Sequence, residues 1–351
     1  MESNHYKKIV IYYFTGTGNS ENVAHWVAET AEIKGIETEI INITSIDRLH
    51  PTNTDSTALI IFVSPIHGFN YPPVMMHFIM RFPNGSNNVA LMNTRAGMLI
   101  GKYITPGLTG IAFYFSALVL KLKGYSIKSM IPVDMPSNWI SVHPGLNQRT
   151  VNYLHSRNKE RVLAYAQKLF TGKSCFKSVR EIPLDLIISP IAVLYYIFGR
   201  FFLSKTYYAS SDCNNCGLCI KNCPVKAIKW VNNRPFWTFN CESCMHCMSH
   251  CPKLAIETAH GSIALIVALF SSLIIGWFYY YFELFFFQIE NQFIQLIFEN
   301  LLFLGLLIIW YRFIHFLLRF RFFERLIVYT SLTNYKFWGR RYKALKNEEY
   351  I

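Results

Sequence analysis

Acidic side chains are scarce in this sequence: 21 Asp and Glu stand against 34 Lys and Arg over 351 residues, and charged residues together make up only 16%. A chain this poor in charge, with 52% apolar and 16% aromatic residues, leans away from an ordinary soluble domain and toward a membrane surface or span. The net charge of +13 suits anionic lipid heads, nucleic acid or an acidic partner, and composition alone does not choose among them. Other absences narrow the chemistry. "MESNHYKKIV" has no apolar core followed by a small-residue cleavage site, so no secretory signal is expected and the N-terminal part should stay in the cytoplasm. Neither G-x-x-x-x-G-K-[ST] nor G-x-G-x-x-G occurs, which removes the Walker loop and the fingerprint of a built-in dinucleotide site. No C-x-x-C pair is followed by His, so covalent haem attachment has no support. No Ser/His/Asp or Cys/His constellation can be placed either.

The length allows two or more domains. Strand-like apolar runs at 7–14, 38–43, 57–66, 88–95 and 126–135 alternate with helical patterns around 19–34, 73–82, 107–123 and 147–170. Apolar strands joined by crossovers of that length predict a five-stranded parallel sheet covered by helices on both faces, a doubly wound α/β domain over 1–170. A linker region follows over 171–205. Its second half, "PLDLIISPIAVLYYIFGRFFLSK", has an uncharged stretch short of the ~20 residues of a span and carries Pro190, so it reads as a helix packed on the protein or lying in the bilayer interface.

A cysteine module occupies 206–260. Beyond it, 261–320 reads as a hairpin of two transmembrane helices: 262–282 has no charged residue, and 301–318 carries Arg312 and His315 near its far end. Glu283, Glu290 and Glu299 lie between them without a Lys or Arg, whereas 319–346 is strongly basic, so the positive-inside rule puts both ends in the cytoplasm. Glu283 and Glu290, with Arg312 and His315, either mark span ends or serve proton uptake. The basic aromatic tail 321–351 could suit RNA; directly after a span it reads instead as lying along anionic lipid, and no nucleic-acid partner is expected.

Eight of the nine cysteines lie between Cys213 and Cys251, which in a chain without an export signal reads as metal ligation. "CNNCGLCIKNCP" and "CESCMHCMSHCP" each spell C-x2-C-x2-C-x3-C-P. Three thiolates two residues apart wrap one iron cube, and the fourth, before proline, reaches the other. Cys213, Cys216, Cys219 and Cys251 are therefore assigned to one [4Fe–4S] cluster, and Cys241, Cys244, Cys247 and Cys223 to a second. Zinc is the alternative, but it calls for four thiolates, not this pattern twice. The lone Cys175 reads as a plain thiol. Residues 206–258 resemble a bacterial two-cluster ferredoxin, including "AIKWV" and "AIETA" after each proline-ended motif.

Between the first strand and first helix stands "TGTGNS". Gly16 and Gly18 let the backbone turn its amides toward a phosphate, Thr15, Thr17, Asn19 and Ser20 add side-chain donors, and the helix N-terminus adds its dipole. This loop resembles the phosphate loop of flavodoxins, T-x-T-G-N-[ST]. The resemblance implies FMN, with the isoalloxazine between the loops after the third and fourth strands: Ser64, Pro65, Ile66, His67 and Gly68 on one side, with Phe69 or Tyr71 to stack, and Asn93, Thr94, Arg95, Ala96 and Gly97 along the other edge. His67 and Arg95 are each open to the plainer reading of a satisfied loop residue; alternatively, Arg95 lies by the pyrimidine edge and favours an anionic reduced ring. "VDMPSNWISV" (133–142) looks like the stretch in which Trp139 helps cover the flavin. Flavodoxin-like domain, linker and ferredoxin together resemble the flavodoxin–ferredoxin fusion proteins of anaerobes and facultative anaerobes; the membrane segment lies outside that family's common core.

That resemblance, taken with the apolar segments after the cysteine module, implies a membrane-bound FMN/iron–sulfur oxidoreductase, and the missing dinucleotide fingerprint points to a reduced ferredoxin, a flavodoxin or a separate reductase as donor. The acceptor would be a quinone, a lipid-soluble substrate or a membrane enzyme. A subunit feeding one dedicated membrane reductase, and a redox sensor, are the alternatives.

Overall fold

A computed structural model describes residues 4–51, 55–100, 103–274, 276–277, 280–281, 291–339 and 341–345. The strands β1 (Lys8–Tyr13), β2 (Glu37–Asn42), β3 (Leu59–Pro65) and β4 (Asn88–Ile100) form where Val and Ile runs favour extended chain, and β5 (Tyr103–Thr105) turns back antiparallel on the end of β4. With β6 (Ser126–Pro136) and β7 (Cys175–Phe176) the order is β2-β1-β3-β4-β6-β7, and every pairing along this path is parallel. The order reverses between β1 and β3, so the two chains leaving those strands part and open a crevice at their C-terminal ends.

Strand side chains alternate between faces. Ile9 and Ile11 join Val23, Trp26, Val27 and Val162 from α1 (Asn19–Ile33) and α4 (Gln148–Phe170); Val10 and Tyr12 join Met75, Phe78, Phe113 and Leu120 from α2 (Pro73–Arg81) and α3 (Ala112–Leu122). The path has six strands where the sequence predicted five. The sixth comes from the segment read as linker: Cys175–Phe176 pairs with Ser129 and Met130, and Ser129 Oγ donates to Cys175 O at 2.9 Å. Two residues carry no alternation to detect.

A second departure follows at once. From Lys177 to Ser204 the chain is helical throughout: a 3-10 turn, α5 (Ile182–Leu194), a π-helical turn at Tyr195–Gly199 and α6 (Arg200–Ser204). Pro190 lies inside α5 and does not end it; its lost donor is one bond. At 28 residues this stretch, with Gln292–Leu317, is one of two helices among the described residues long and apolar enough to cross a membrane.

The cysteine module pairs β8 (Tyr207–Ala209) with β11 (Ile256–Thr258) and β9 (Ile228–Val231) with β10 (Arg234–Trp237), both antiparallel. One short helix stands in each motif: α7 (Leu218–Lys221) and α8 (His246–Ser249). The helix α9 (His260–Leu269), continued through Phe270–Ile274, and α10 (Gln292–Leu317) run antiparallel: Trp310 Nε1 donates to Ser262 Oγ at 2.7 Å, and Phe270 and Phe303 meet at 4.8 Å. Of the expected span 262–282, residues 262–274, 276–277 and 280–281 are helical; Glu283 and Glu290 lie outside the described residues. The second arm starts at Gln292, not 301, because Asn291 Oδ1 accepts from the amides of Phe293 and Ile294 and caps it there.

After α11 (Arg321–Tyr329) the tail does not hang free. Trp338 Nε1 donates to Ile140 O at 2.8 Å, and Arg341 pairs with buried Glu257 at 2.7 Å. A buried carboxylate requires a partner, and this tail supplies it.

Candidate functional site

The loop from Thr15 to Ser20 leaves β1 at the crevice. Gly18 holds φ at 102°, and its amide donates to Thr15 Oγ1 at 2.9 Å, which closes the turn into α1. Side chains lock the loop to the neighbouring strand ends: Asn19 Nδ2 donates to Pro136 O (2.9 Å), Asn138 Nδ2 to Thr17 Oγ1 (2.7 Å), and Ser20 and Thr94 share a hydroxyl hydrogen bond (2.8 Å).

Beside it lies a cleft of about 380 Å³. Thr15, Gly16, Thr17, Asn19 and Ser20 form one wall, Pro65, Ile66, Gly68 and Phe69 a second, and Thr94, Arg95 and Ala96 a third. Five of the expected residues stand elsewhere. Ser64 is fully buried in β3, Gly97 pairs with Pro136 in the sheet, and Asn93 is buried with its Nδ2 donating to Thr109 Oγ1 at 3.4 Å. Gly18 faces a separate groove with Glu21 and Asn22, and His67 stands behind the Trp139 ring at 5.5 Å. Tyr71 is buried in the core and donates to Met92 O, so of the two aromatics expected to stack only Phe69 reaches the cleft.

Several lining residues carried no sequence signal, among them two from one distant helix. Ile191 and Tyr195 arrive from the helix after the linker, and the Tyr195 ring lies so close over Gly68 that a Cβ there would fall 2.0 Å from it. Tyr195 stacks obliquely on Trp139, centroids 5.7 Å apart. Around these rings His67 Nδ1, Trp139 Nε1 and the Tyr195 hydroxyl are buried without a hydrogen-bond partner. Burial pushes the His67 imidazole down to about 4, so the ring is neutral. Trp139 and Tyr195 give the cleft an aromatic wall that suits a flat ring system, and the hydroxyl-rich loop opposite suits a phosphate.

Arg95 lines the cleft but its charge is taken. Nε donates to Asp134 at 2.6 Å, NH2 to Glu181 at 2.9 Å, and NH1 to Thr109 at 3.1 Å and to the second Glu181 oxygen. Burial works against the guanidinium, yet Glu181 and Asp134 outweigh it and hold its pKa above the ordinary value.

The cysteines fall into the two expected sets. Cys213, Cys216, Cys219 and Cys251 surround one small cavity, and Cys223, Cys241, Cys244 and Cys247 another. Amides of Ala227, Ser243 and Ala255 donate to the sulfurs of Cys223, Cys241 and Cys251 at 3.2, 3.4 and 3.4 Å, an arrangement that favours thiolate. Burial pushes the Cys219 thiol up to about 11 and Cys241 up to about 12, an opposition that a bound cationic centre removes. Among the described residues no three His, Cys, Asp or Glu gather closely enough to hold a single metal ion. Four sulfurs spaced around a void suit a cube of iron and sulfide better than zinc at ~2.3 Å from each ligand.

The two sites touch. A Cβ on Gly16 would lie 2.2 Å from Cys244 O, and His246 Nδ1 donates to Gly16 O at 2.7 Å. Trp139 lines the cleft and packs on the same apolar cluster as Cys219, Cys223, Cys241, Cys247 and Cys251.

The family model of the 4Fe-4S dicluster domain matches residues 212–256. No curated protein matches the chain. Similar solved structures include the rubredoxin oxygen:oxidoreductase of Desulfovibrio gigas (14% identity, 47% of this chain and 37% of that one, TM-score 0.30). Flavodoxin 1 of Bacillus cereus gives 16% identity, 46% and 95% coverage and a TM-score of 0.31; a flavodoxin from the domain Archaea gives 13%, 46%, 99% and 0.28. The chain thus spans little more than a third of the oxidoreductase that it resembles. By its strand order and its matched cysteine module, the chain joins a flavodoxin-like sheet to a ferredoxin-like iron–sulfur domain.

Proposed function

We propose that the chain is a membrane-bound electron-transfer oxidoreductase carrying FMN and two [4Fe–4S] clusters. The contact of Gly16 with Cys244 carries this reading, because it makes the phosphate loop and the second cysteine motif one packed unit. FMN, when bound, handles electrons singly or in pairs, and each cluster handles one.

Thr15, Gly16, Thr17, Asn19 and Ser20 would hold the phosphate; Pro65, Ile66, Gly68, Thr94, Arg95 and Ala96 would border the ring, with Trp139 and Tyr195 as its aromatic wall. The set Cys223, Cys241, Cys244 and Cys247 would hold the cluster next to the cleft. The set Cys213, Cys216, Cys219 and Cys251 would hold the outer one, where exposed Cys216 offers an edge to an external redox protein. Trp139 fills the space between cleft and cysteines and keeps water from it. The protein's task is to hold these groups at fixed separations.

The α9–α10 hairpin would anchor the chain in the cytoplasmic membrane with both redox parts on the cytoplasmic side, as the basic flank after it favours. Lys177–Ser204 would lie in the interface: Asp185 accepts from Gly110 N (2.8 Å) and the Tyr114 hydroxyl (3.0 Å), and Tyr195 covers Gly68, so one face is tied to the sheet. A ferredoxin, a flavodoxin or a separate reductase would donate electrons, and a quinone or lipid-soluble substrate would accept them. Anaerobic purification in detergent is expected to yield one flavin and two four-iron clusters per chain, with electrons passing from the reduced protein to a quinone analogue. Zinc in place of iron, or a protein that takes up no FMN, overturns the reading.

The uncovered apolar flank of Leu186, Ile187, Ile191 and Val193 favours a second reading, a subunit that feeds one membrane reductase. Stable co-purification with an integral enzyme, and no quinone reduction without it, would distinguish the two.

A further inference from the structure

On the far side of the second cysteine motif a cavity of about 410 Å³ opens between α2, α6 and the loop after β2. Arg48, Arg81 and Arg200 line it, and Glu242 is the one carboxylate in its wall. Glu242 is already engaged, since its carboxylate accepts from the amide of Val74 at the start of α2. Among the described residues none of the three arginines has a hydrogen bond or ion pair. Arg200 stacks on the rings of Tyr196 and Phe201 at 5.1 and 4.4 Å, and its Nε is buried without a partner. His77 adds a further donor. Three guanidiniums face one partly enclosed space; Glu242, in the field of Arg200 and Arg48, offsets part of their charge, and among the described residues of the wall the balance stays positive.

The rest of the wall is apolar and aromatic. Phe201 and Phe239 meet at 5.6 Å, and the neighbouring Phe202 contacts Phe303 of the hairpin at 5.1 Å, so the apolar side of the cavity continues toward the helices that are long enough to enter lipid. We infer that this cavity binds an anionic amphiphile: a phosphate or carboxylate group held by Arg48, Arg81 and Arg200, with an apolar body along Phe201 and Phe239. Such a ligand comes from two sources, the headgroup of an anionic phospholipid or a soluble organic acid. In either case it rests beside Cys241, which lines the same cavity. The inference does not depend on flavin being bound in the cleft.

The test uses the full-length, cluster-loaded protein in phosphatidylcholine nanodiscs, titrated calorimetrically with hexyl phosphate and, as the neutral control, hexanol. Saturable binding of hexyl phosphate and none of hexanol is expected. Each Arg→Gln change removes a charge-assisted bond and should weaken binding about tenfold. Arg81→Gln alters only an exposed side chain at the end of α2 and so remains informative even if the Arg48→Gln/Arg81→Gln/Arg200→Gln variant folds poorly. A second arm replaces part of the phosphatidylcholine with phosphatidylglycerol. A fall in apparent hexyl phosphate affinity assigns the site to a lipid headgroup, and an unchanged affinity assigns it to a soluble acid. No saturable binding in phosphatidylcholine discs, or equal binding by wild type and Arg81→Gln, overturns the inference.

Discussion

Arg95 shows how a residue that the motif places at the cofactor can be committed to the fold. Its side chain is 3% exposed, and Asp134, at 5%, depends on it for charge. Replacing Arg95 with Ala leaves that carboxylate buried, with the Gly107 amide at 3.0 Å and Arg161 at 3.6 Å as its remaining partners, and should lower stability by about 3 kcal/mol. Lys at the same position cannot reproduce the fork to Asp134 and Glu181 and should recover less than half of the loss. Denaturant unfolding of the three proteins checks both; a wild-type midpoint for Arg95→Ala would show that the ion pairs contribute nothing. Gly16 is the opposite case, a residue whose value is the space it leaves. Ala there drives a methyl into the Cys244 carbonyl, so Gly16→Ala should lower flavin and iron content together. Loss of flavin alone would mean that the loop yields without disturbing the cysteine motif.

At the scale of elements, β1 to β4 and β6 begin and end within a few residues of their sequence expectation because Val- and Ile-rich runs bounded by polar turns have few other readings. What escaped was long-range. Tyr195 enters the cleft from a helix whose apolar residues look alike from sequence, and no local pattern marks the one that meets Gly68. The polar first turns of α10, with Gln292, Gln295 and Glu299, conceal the start of an apolar arm. The clearest case is the strap at 341–345. Three of its partners lie more than 300 residues away: the Tyr342 hydroxyl donates to Asn19 Oδ1, Ala344 N donates to Thr17 O at 2.7 Å, and Asn22 Nδ2 donates to Leu345 O at 2.7 Å. Because the Tyr342 proton goes to Asn19, His155 must donate from Nε2 to the phenol oxygen, at 2.6 Å. Tyr342→Phe leaves a buried amide oxygen unpaired, which costs about 1–3 kcal/mol, and should weaken flavin retention through Asn19. Dialysis of the flavin-loaded protein measures it; unchanged retention would separate the strap from the loop. The same His155 gives a pH limb. Burial lowers its pKa to about 4, so the unfolded chain takes up the proton first as pH falls. The stability it contributes is complete above about 6.5 and lost progressively between about 6.5 and 4, and His155→Gln should flatten that part of the stability profile.

For the molecule as a whole, the proposed membrane attachment turns on two apolar helices. Lys177–Ser204 and Gln292–Leu317 both have the length, and the protein covers little of either. Their attachments differ. The first is tied at Asp185 and Tyr195 to a water-facing sheet, and a helix cannot cross a bilayer while one face is sewn to a soluble domain. The second is buried against the protein at its base, from Leu307 to His315, and Phe303 above that meets Phe202 of α6 and Phe270 after α9, with no hydrogen bond to the sheet among the described residues. Beside that base, α11 exposes Phe322, Leu326 and Tyr329, as a helix lying in the headgroup layer would. Membranes carrying the chain should therefore keep it through a high-salt wash, which screens the contribution of its +13 charge, and also through alkaline carbonate, which strips proteins held by charge alone. Asp substitutions at Leu301 and Leu304, midway along α10, should release the chain into the carbonate supernatant, since a charge at bilayer depth costs about 2.5–3.5 kcal/mol each. The same change at Leu186 and Ile187 should leave it in the pellet. Release by carbonate of the unaltered chain would mean that the hairpin, too, rests on the membrane without entering it.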